Sequence, residues 1–436
     1  MLSKKDLKKM YEKYCCKHDE TIMYDSFMVI EKAEGFLLWD RGDKKPYYDT
    51  IFGYSANNFG HCYPEILKSV QKHTARLDHF HSFNCPAKIE LSKLLVDLVP
   101  GKPDMQVYFP IGGAASIETA VKYSRGFTGK KDIITFKGGF HGLTLTALML
   151  NGKEYHKRDK YLPLPGKPIE VEYANCFRCK HKCDSCNLEC TIELEQQLKK
   201  NKNVAGVLIE PIQGANGFIV PPAKFLKRVE ELTRKSGAVF IADEVQMGIG
   251  RTGKMYSFEH FDIHPDMILL SKSLAGGYYP LGAVLCKSNI MNSIQIDGSG
   301  IGSTFGNSPL GTSIALDVIN MCLRKKLFDN ALKIGNYFTD KIKSFERFPF
   351  IAFSSGIGLA QSFEFVIDKK GYKPAPQLVK AFQNISLKKH LITYIGGIYK
   401  NRTKIALPIW ITKKDADFFF NKFEECLEEL NHTISQ

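Results

Sequence analysis

Two stretches decide how this chain is read: AVFIADEVQ, residues 238–246, and MILLSKSLAGG, residues 267–277. Each opens with an unbroken apolar run of the kind that forms a strand buried on both faces. Each run ends at a charged residue, Asp243 (followed by Glu244) in the first and, one serine on, Lys272 in the second. Similar runs alternate with helical patterns: MQVYF before a helix from Ala114, DIITF, VAGVLIE before a helix after Pro222, and LGAVLC. That alternation predicts an α/β fold with a mostly parallel central sheet covered by helices. Ligands of such sheets bind beyond the carboxyl ends of the strands, where Asp243 and Lys272 fall.

The chain has 436 residues, 44% hydrophobic and 24% charged, enough for a large core and more than one compact unit. The expected division is an N-terminal segment over 1–60, a large domain over 61–320 and a C-terminal small domain over 321–436. The first and last of these form one smaller α+β unit. GFLLWD and PYYDTIFGY flank the polar turn RGDKK and predict a hairpin, and PEILKSVQKHTARL and AKIELSKLLVDLV predict helices. No apolar run has membrane-spanning length, and MLSKKDLKKMYEKYCCKHDE is a polar helical pattern instead of a signal peptide, so a cytoplasmic address is expected. The net charge of +14 comes from scattered lysines, with no basic run interleaved with aromatics, so neither nucleic acid nor membrane is the expected partner.

A carboxylate and a lysine at strand ends suit pyridoxal 5'-phosphate. That cofactor needs an amine to hold it as a Schiff base and an acid to keep its ring nitrogen protonated. IGGAAS, residues 111–116, falls between a strand and a helix and offers backbone N–H groups to a phosphate. Phe140 in GGFHG, after DIITF, offers an aromatic face. GIGRTG, residues 248–253, matches the dinucleotide pattern G-x-G-x-x-G and, with Lys254, nearly a phosphate loop. DEVQM separates it from its strand and Met255 stands where a hydroxyl is needed, so it reads as a glycine-rich turn.

Together with GHCYPEI (60–66), FHG (140–142), IEPIQGANG (209–217), IADEVQMGIGRTGKMYSFE (241–259), PDMILLSKSLAGGYYPLGAV (265–284) and GSTFGNSPL (302–310), these residues resemble the class III, fold-type I aminotransferases that use pyridoxal phosphate. The group includes the ornithine, 4-aminobutyrate and acetylornithine enzymes. The resemblance implies a homodimer with shared active sites, a small-molecule amino donor and an oxo-acid acceptor. It implies that Lys272 forms the internal aldimine and shuttles the proton, and that Asp243 holds the pyridinium proton. It places Gln246 near the phenolic oxygen, Val245 and Phe140 on the two ring faces, and Gly113 and Ala114 at the phosphate. Thr304 reaches the phosphate from the neighbouring subunit, and Glu210 matches the gate residue that pairs with a substrate-binding arginine. Where the family has that arginine, this chain has Lys404, which keeps the charge but loses the bidentate fork. Arg402, two residues earlier, points to the same side in a strand and is a second candidate for the substrate carboxylate.

CFRCKHKCDSCNLEC, residues 176–190, carries five of the twelve cysteines. It reads as a Cys-rich insertion in the large domain. In a reducing compartment such a cluster suggests metal ligation before disulfides. Some family relatives resemble it, which would align Cys176, Cys179, Cys186 and Cys190 as ligands of zinc or an iron-sulfur cluster and leave Cys183 extra. Two other functions stay open at this point: an amino-acid racemase or epimerase using the same residues, and a non-catalytic metal-binding or nucleic-acid-binding module.

Overall fold

The computed structural model describes residues 2–16, 27–80, 83–152, 168–179, 186–294 and 301–436. Its central sheet has seven strands, from one edge to the other Met105–Tyr108, Ala283–Lys287, Met267–Leu270, Val239–Asp243, Val204–Ile209, Asp132–Phe136 and Pro168–Val171. Alternate residues of one strand serve opposite faces. Phe240 and Ala242 join one apolar cluster, and Val239 and Ile241 join the other. With both faces covered, the strands read as continuous apolar runs.

Every pairing in this sheet is parallel except those of Ala283–Lys287, which is antiparallel to both neighbours. The connection explains the exception. Residues 271–282 hold only the short 3-10 turn Lys272–Ala275, and a parallel return needs a longer crossover, usually a helix. The helices Gly112–Thr128 and Ala223–Ser236 pack on the sheet, the first with its N-terminus at the end that also carries Asp243 and Lys272.

The expected hairpin forms, with Leu37–Asp40 antiparallel to Tyr47–Asp49. Its sheet is completed by Ile30–Glu34 on one side and by the distant strand Leu391–Ile392 on the other, so the two ends of the chain share a sheet. A third sheet runs Ile351–Ile357, Ala360–Phe365, Arg402–Ala406, Tyr394–Gly396, all antiparallel, and helices Leu327–Lys343, Pro376–Lys388 and Lys413–Ser435 accompany it. Phe345, Phe363, Phe382 and Phe423 pack in the core between them, Phe363 edge-on to the other three and Phe382 stacked on Phe423. Among the described residues no helix is long and apolar enough to cross a membrane.

Candidate active site

Asp243 is the last residue of its strand, and its buried carboxylate is held at both oxygens. Oδ2 lies 2.7 Å from His141 Nδ1, and Oδ1 accepts the backbone N–H of Val245 at 3.0 Å. His141 is itself fixed, because its backbone N–H donates to Asn151 Oδ1 at 2.6 Å. On the adjacent strand Leu269 pairs with Asp243, and three residues on stands Lys272. Its φ of 42° is left-handed, a conformation that costs a non-glycine residue energy and that surrounding structure must enforce. Burial lowers the Lys272 pKa, and the charges of Asp243 and Glu210 oppose that shift. The amine is therefore more readily neutral, and nucleophilic, than a surface lysine.

Glu210 follows the strand Val204–Ile209 and is buried. One of its oxygens accepts the N–H of Phe140 at 3.1 Å, the other that of Gly214 at 3.1 Å. Burial raises its pKa to about 7, against the pull of His141 and these N–H donors. Tyr173 donates its hydroxyl to the Glu210 and Pro211 carbonyls. Gln246 donates to the Tyr54 carbonyl at 3.3 Å.

The helix Gly112–Thr128 starts without a side-chain cap, leaving its first N–H groups open. Gly113 is required there, since a Cβ would sit 2.8 Å from Val245 Cγ1. Gly142 is required for the next approach, where a Cβ would meet that of Ala114 at 2.7 Å. The uncapped helix end, Val245 and the Phe140–Gly142 turn are thus in one place, beside the amine and the two carboxylates. An open anion-binding helix end, a lysine made easier to deprotonate and a fixed buried carboxylate are the donor set that pyridoxal phosphate needs, so the residues fit it.

The two substrate candidates part company. Lys404 is buried with its ammonium 5.8 Å from the Tyr54 ring and 5.7 Å from that of Phe218, within the electrostatic reach of Lys272 and Glu210. Arg402 instead gives Nη1 to Glu364 at 3.0 Å and Nη2 to Ser355 at 2.6 Å and Ser362 at 3.1 Å. The guanidinium expected to share the substrate is spent on the protein. Thr304 is exposed, in a loop tied to Phe109 through two hydrogen bonds of Asn307.

The metal expectation needs correction. Among the described residues no group of three or more His, Cys, Asp or Glu is placed to hold a metal ion. Cys176 is disulfide-bonded, which removes its thiolate from any ligand set. Cys179, Cys186 and Cys190 line one cavity of about 590 Å³ with Arg178 and Tyr399, near enough for the first two to shift the third's pKa, and Cys183 lies outside the described residues. Residue-by-residue reading of the motifs also passed over His141, Asn151 and Tyr173. His141 was legible in principle, as the polar residue next to Phe140 at a strand end.

The fold and this arrangement define a fold-type I pyridoxal-phosphate transferase. The model of the family Aminotransferase class-III matches residues 20–427, and the chain belongs to that family: it is a pyridoxal-phosphate-dependent aminotransferase. It is 30% identical to the 2-aminoadipate transaminase of Pseudomonas putida over 90% of this chain and 94% of that one. It is 28% identical to the leucine/methionine racemase of Thermococcus litoralis, over 92% and 91%. Among solved structures, the omega transaminase from Pseudomonas jessenii in complex with PMP superposes with a TM-score of 0.86 at 25% identity, covering 94% of each chain.

Proposed function

We propose that this aminotransferase works on amino donors and oxo acceptors that carry a carboxylate, with Lys272 as the cofactor-bearing lysine and Lys404 as the substrate's anchor. The observation that carries this reading is that the buried Lys404 ammonium, set between the Tyr54 and Phe218 rings, lies within electrostatic reach of both Lys272 and Glu210, and Lys272 within reach of Glu210. Pyridoxal phosphate, when bound, supplies the electron sink that stabilises negative charge on the substrate carbon. Lys272 offers a buried amine that can take a proton from that carbon and return it. Asp243, fixed by His141 and the Val245 N–H, presents a negative charge where a ring nitrogen must stay protonated, with Gln246 beside it. Val245 and Phe140 line the two sides of that slot. Gly113 and Ala114 turn backbone N–H groups to the phosphate at the positive end of their helix.

Glu210 serves as the gate. With no carboxylate in the pocket it balances Lys404, and a substrate carboxylate takes its place. Thr304 completes the phosphate site of a second copy, making the working unit a homodimer. Ile111 and Phe305, exposed apolar residues next in sequence to the glycine-rich helix start and to Thr304, would gain cover in that assembly.

Borohydride reduction of the holoenzyme followed by peptide mass analysis tests the assignment. The cofactor's mass is expected on Lys272, and Lys272→Ala should lose both the visible absorption band and amino transfer. A label on another lysine would refute the assignment. Inversion of a chiral amino acid without any oxo acid would move the enzyme to the racemase reaction of its Thermococcus litoralis relative.

A further inference from the structure

Arg402 and Lys404 face the same way from one strand, yet only one of them meets the substrate pocket. What separates them is Glu364, a buried residue on the neighbouring strand and the direct partner of Arg402 in the sheet. Its Oε2 takes Arg402 Nη1 at 3.0 Å. Its Oε1 is pinned from two other sides, by Asn401 Nδ2 at 3.0 Å and by Arg178 through Nε at 2.7 Å and a second contact through Nη2. Arg178 belongs to the Cys-rich segment, lying between Cys176 and Cys179 and stacked over Tyr399.

The stem of Arg402 has a slot built for it. A Cβ on Gly217 would lie 2.6 Å from Arg402 Cδ, and one on Gly397 would lie 3.3 Å from Cγ; both glycines have positive φ. Lys404 has its own lane, closed by Gly396, whose Cβ would lie 2.8 Å from Lys404 Cδ.

We propose that Glu364 is a specificity-determining residue: it holds the Arg402 guanidinium away from the substrate, so a substrate carboxylate meets the Lys404 ammonium alone. The inference rests on the reading of Lys404 as anchor. A guanidinium would grip a planar carboxylate with two parallel hydrogen bonds; an ammonium is a point charge that fixes no orientation. Two guanidinium groups and one carboxylate leave a positive excess in this buried cluster. Weakening Glu364 therefore frees a cation for the nearest anion.

The test is calorimetric titration of glutarate, an unreactive dicarboxylate, into cofactor-loaded enzyme. Glu364→Gln keeps the shape and removes the charge; it should tighten glutarate about tenfold, the difference between one contact and a fork. Wild-type or weaker affinity in a folded, cofactor-loaded Glu364→Gln enzyme would overturn the proposal. If that variant fails to load cofactor, Ser355→Ala, which removes only a hydroxyl partner of Arg402, decides: a smaller tightening supports the proposal and no change overturns it. Lys404→Met separates the two levels. Undiminished glutarate binding there sinks the anchor reading itself, whereas weakened binding beside an unchanged Glu364→Gln sinks only the role of Glu364.

Discussion

His141 Nδ1 lies 2.7 Å from Asp243 Oδ2, and both side chains are shut off from solvent. The imidazole orients the carboxylate, so on the proposed role of Asp243 His141 would be a positioning residue for the cofactor's ring nitrogen. Loss of a hydrogen bond to a buried charge costs about 1.5–3 kcal/mol, so His141→Ala should weaken cofactor affinity roughly 10- to 100-fold. His141→Asn, which retains an N–H donor, should recover most of it. Spectroscopic titration of the apoenzyme checks this, and equal affinity in the alanine variant would refute it.

If Lys404 is the anchor proposed above, the pH dependence of carboxylate binding follows from it. Burial, and then the charge of Lys272, lower its pKa from 10.5 to about 8. The anchor must be protonated to hold an anion, so KM for a carboxylate substrate should rise as pH passes through about 8. For stability the sign is opposite. Between about 8 and 10.5 the unfolded chain binds more protons at this site, so its contribution to folding improves as pH rises there. Lys404→Met should flatten the pH profile of KM near 8, and a rise that survives the substitution would assign it to another group.

Gly335 lies in the helix Leu327–Lys343 directly against the backbone of Gly358. A Cβ there would fall 2.2–2.3 Å from backbone atoms that no side-chain rotation can move. Gly335→Ala, otherwise a helix-favouring change, should therefore destabilise by roughly 1–3 kcal/mol or more, as overpacked cores do. A Tm at or above that of the parent enzyme would contradict it.

The cysteines should separate by reactivity. Burial, with the nearby Cys186 and Cys179, pushes the Cys190 thiol up to about 11, whereas Cys15, Cys16 and Cys62 are exposed. Only the thiolate attacks, so at pH 8 iodoacetamide should label the three exposed cysteines before Cys190. Peptide mapping at short reaction times reads the order, and early labelling of Cys190 would exclude the burial described.

Much of the site was legible before any coordinates. Short unbroken apolar runs alternating with helical patterns argue for strands covered on both faces, and where those strands are parallel the residues that end them lie on one rim of a sheet. Asp243 and Lys272 were placed this way, Glu210 through the family resemblance, and the short glycine-rich entry to the helix Gly112–Thr128 marked its open end. The reversed direction of Ala283–Lys287 was harder to see, because a strand's apolar pattern is the same in either direction and only the length of its connection decides.

The sequence by itself determined which charged residues stand at strand ends, and the family resemblance set Lys404 where an arginine is expected. The tertiary structure decided which of the two cations is tied up within the protein and where Arg178 of the Cys-rich segment reaches. Strand periodicity puts Arg402 and Lys404 on one side, but an ion pair forms with whatever opposite charge the fold brings near. Glu364, thirty-eight residues away, and Arg178, carried in from the Cys-rich segment, meet Arg402 only in the folded chain. A cluster of thiols likewise becomes a metal site only if the backbone sets them in a ligand geometry, and among the described residues of that segment it is Arg178 that reaches into the small-domain sheet.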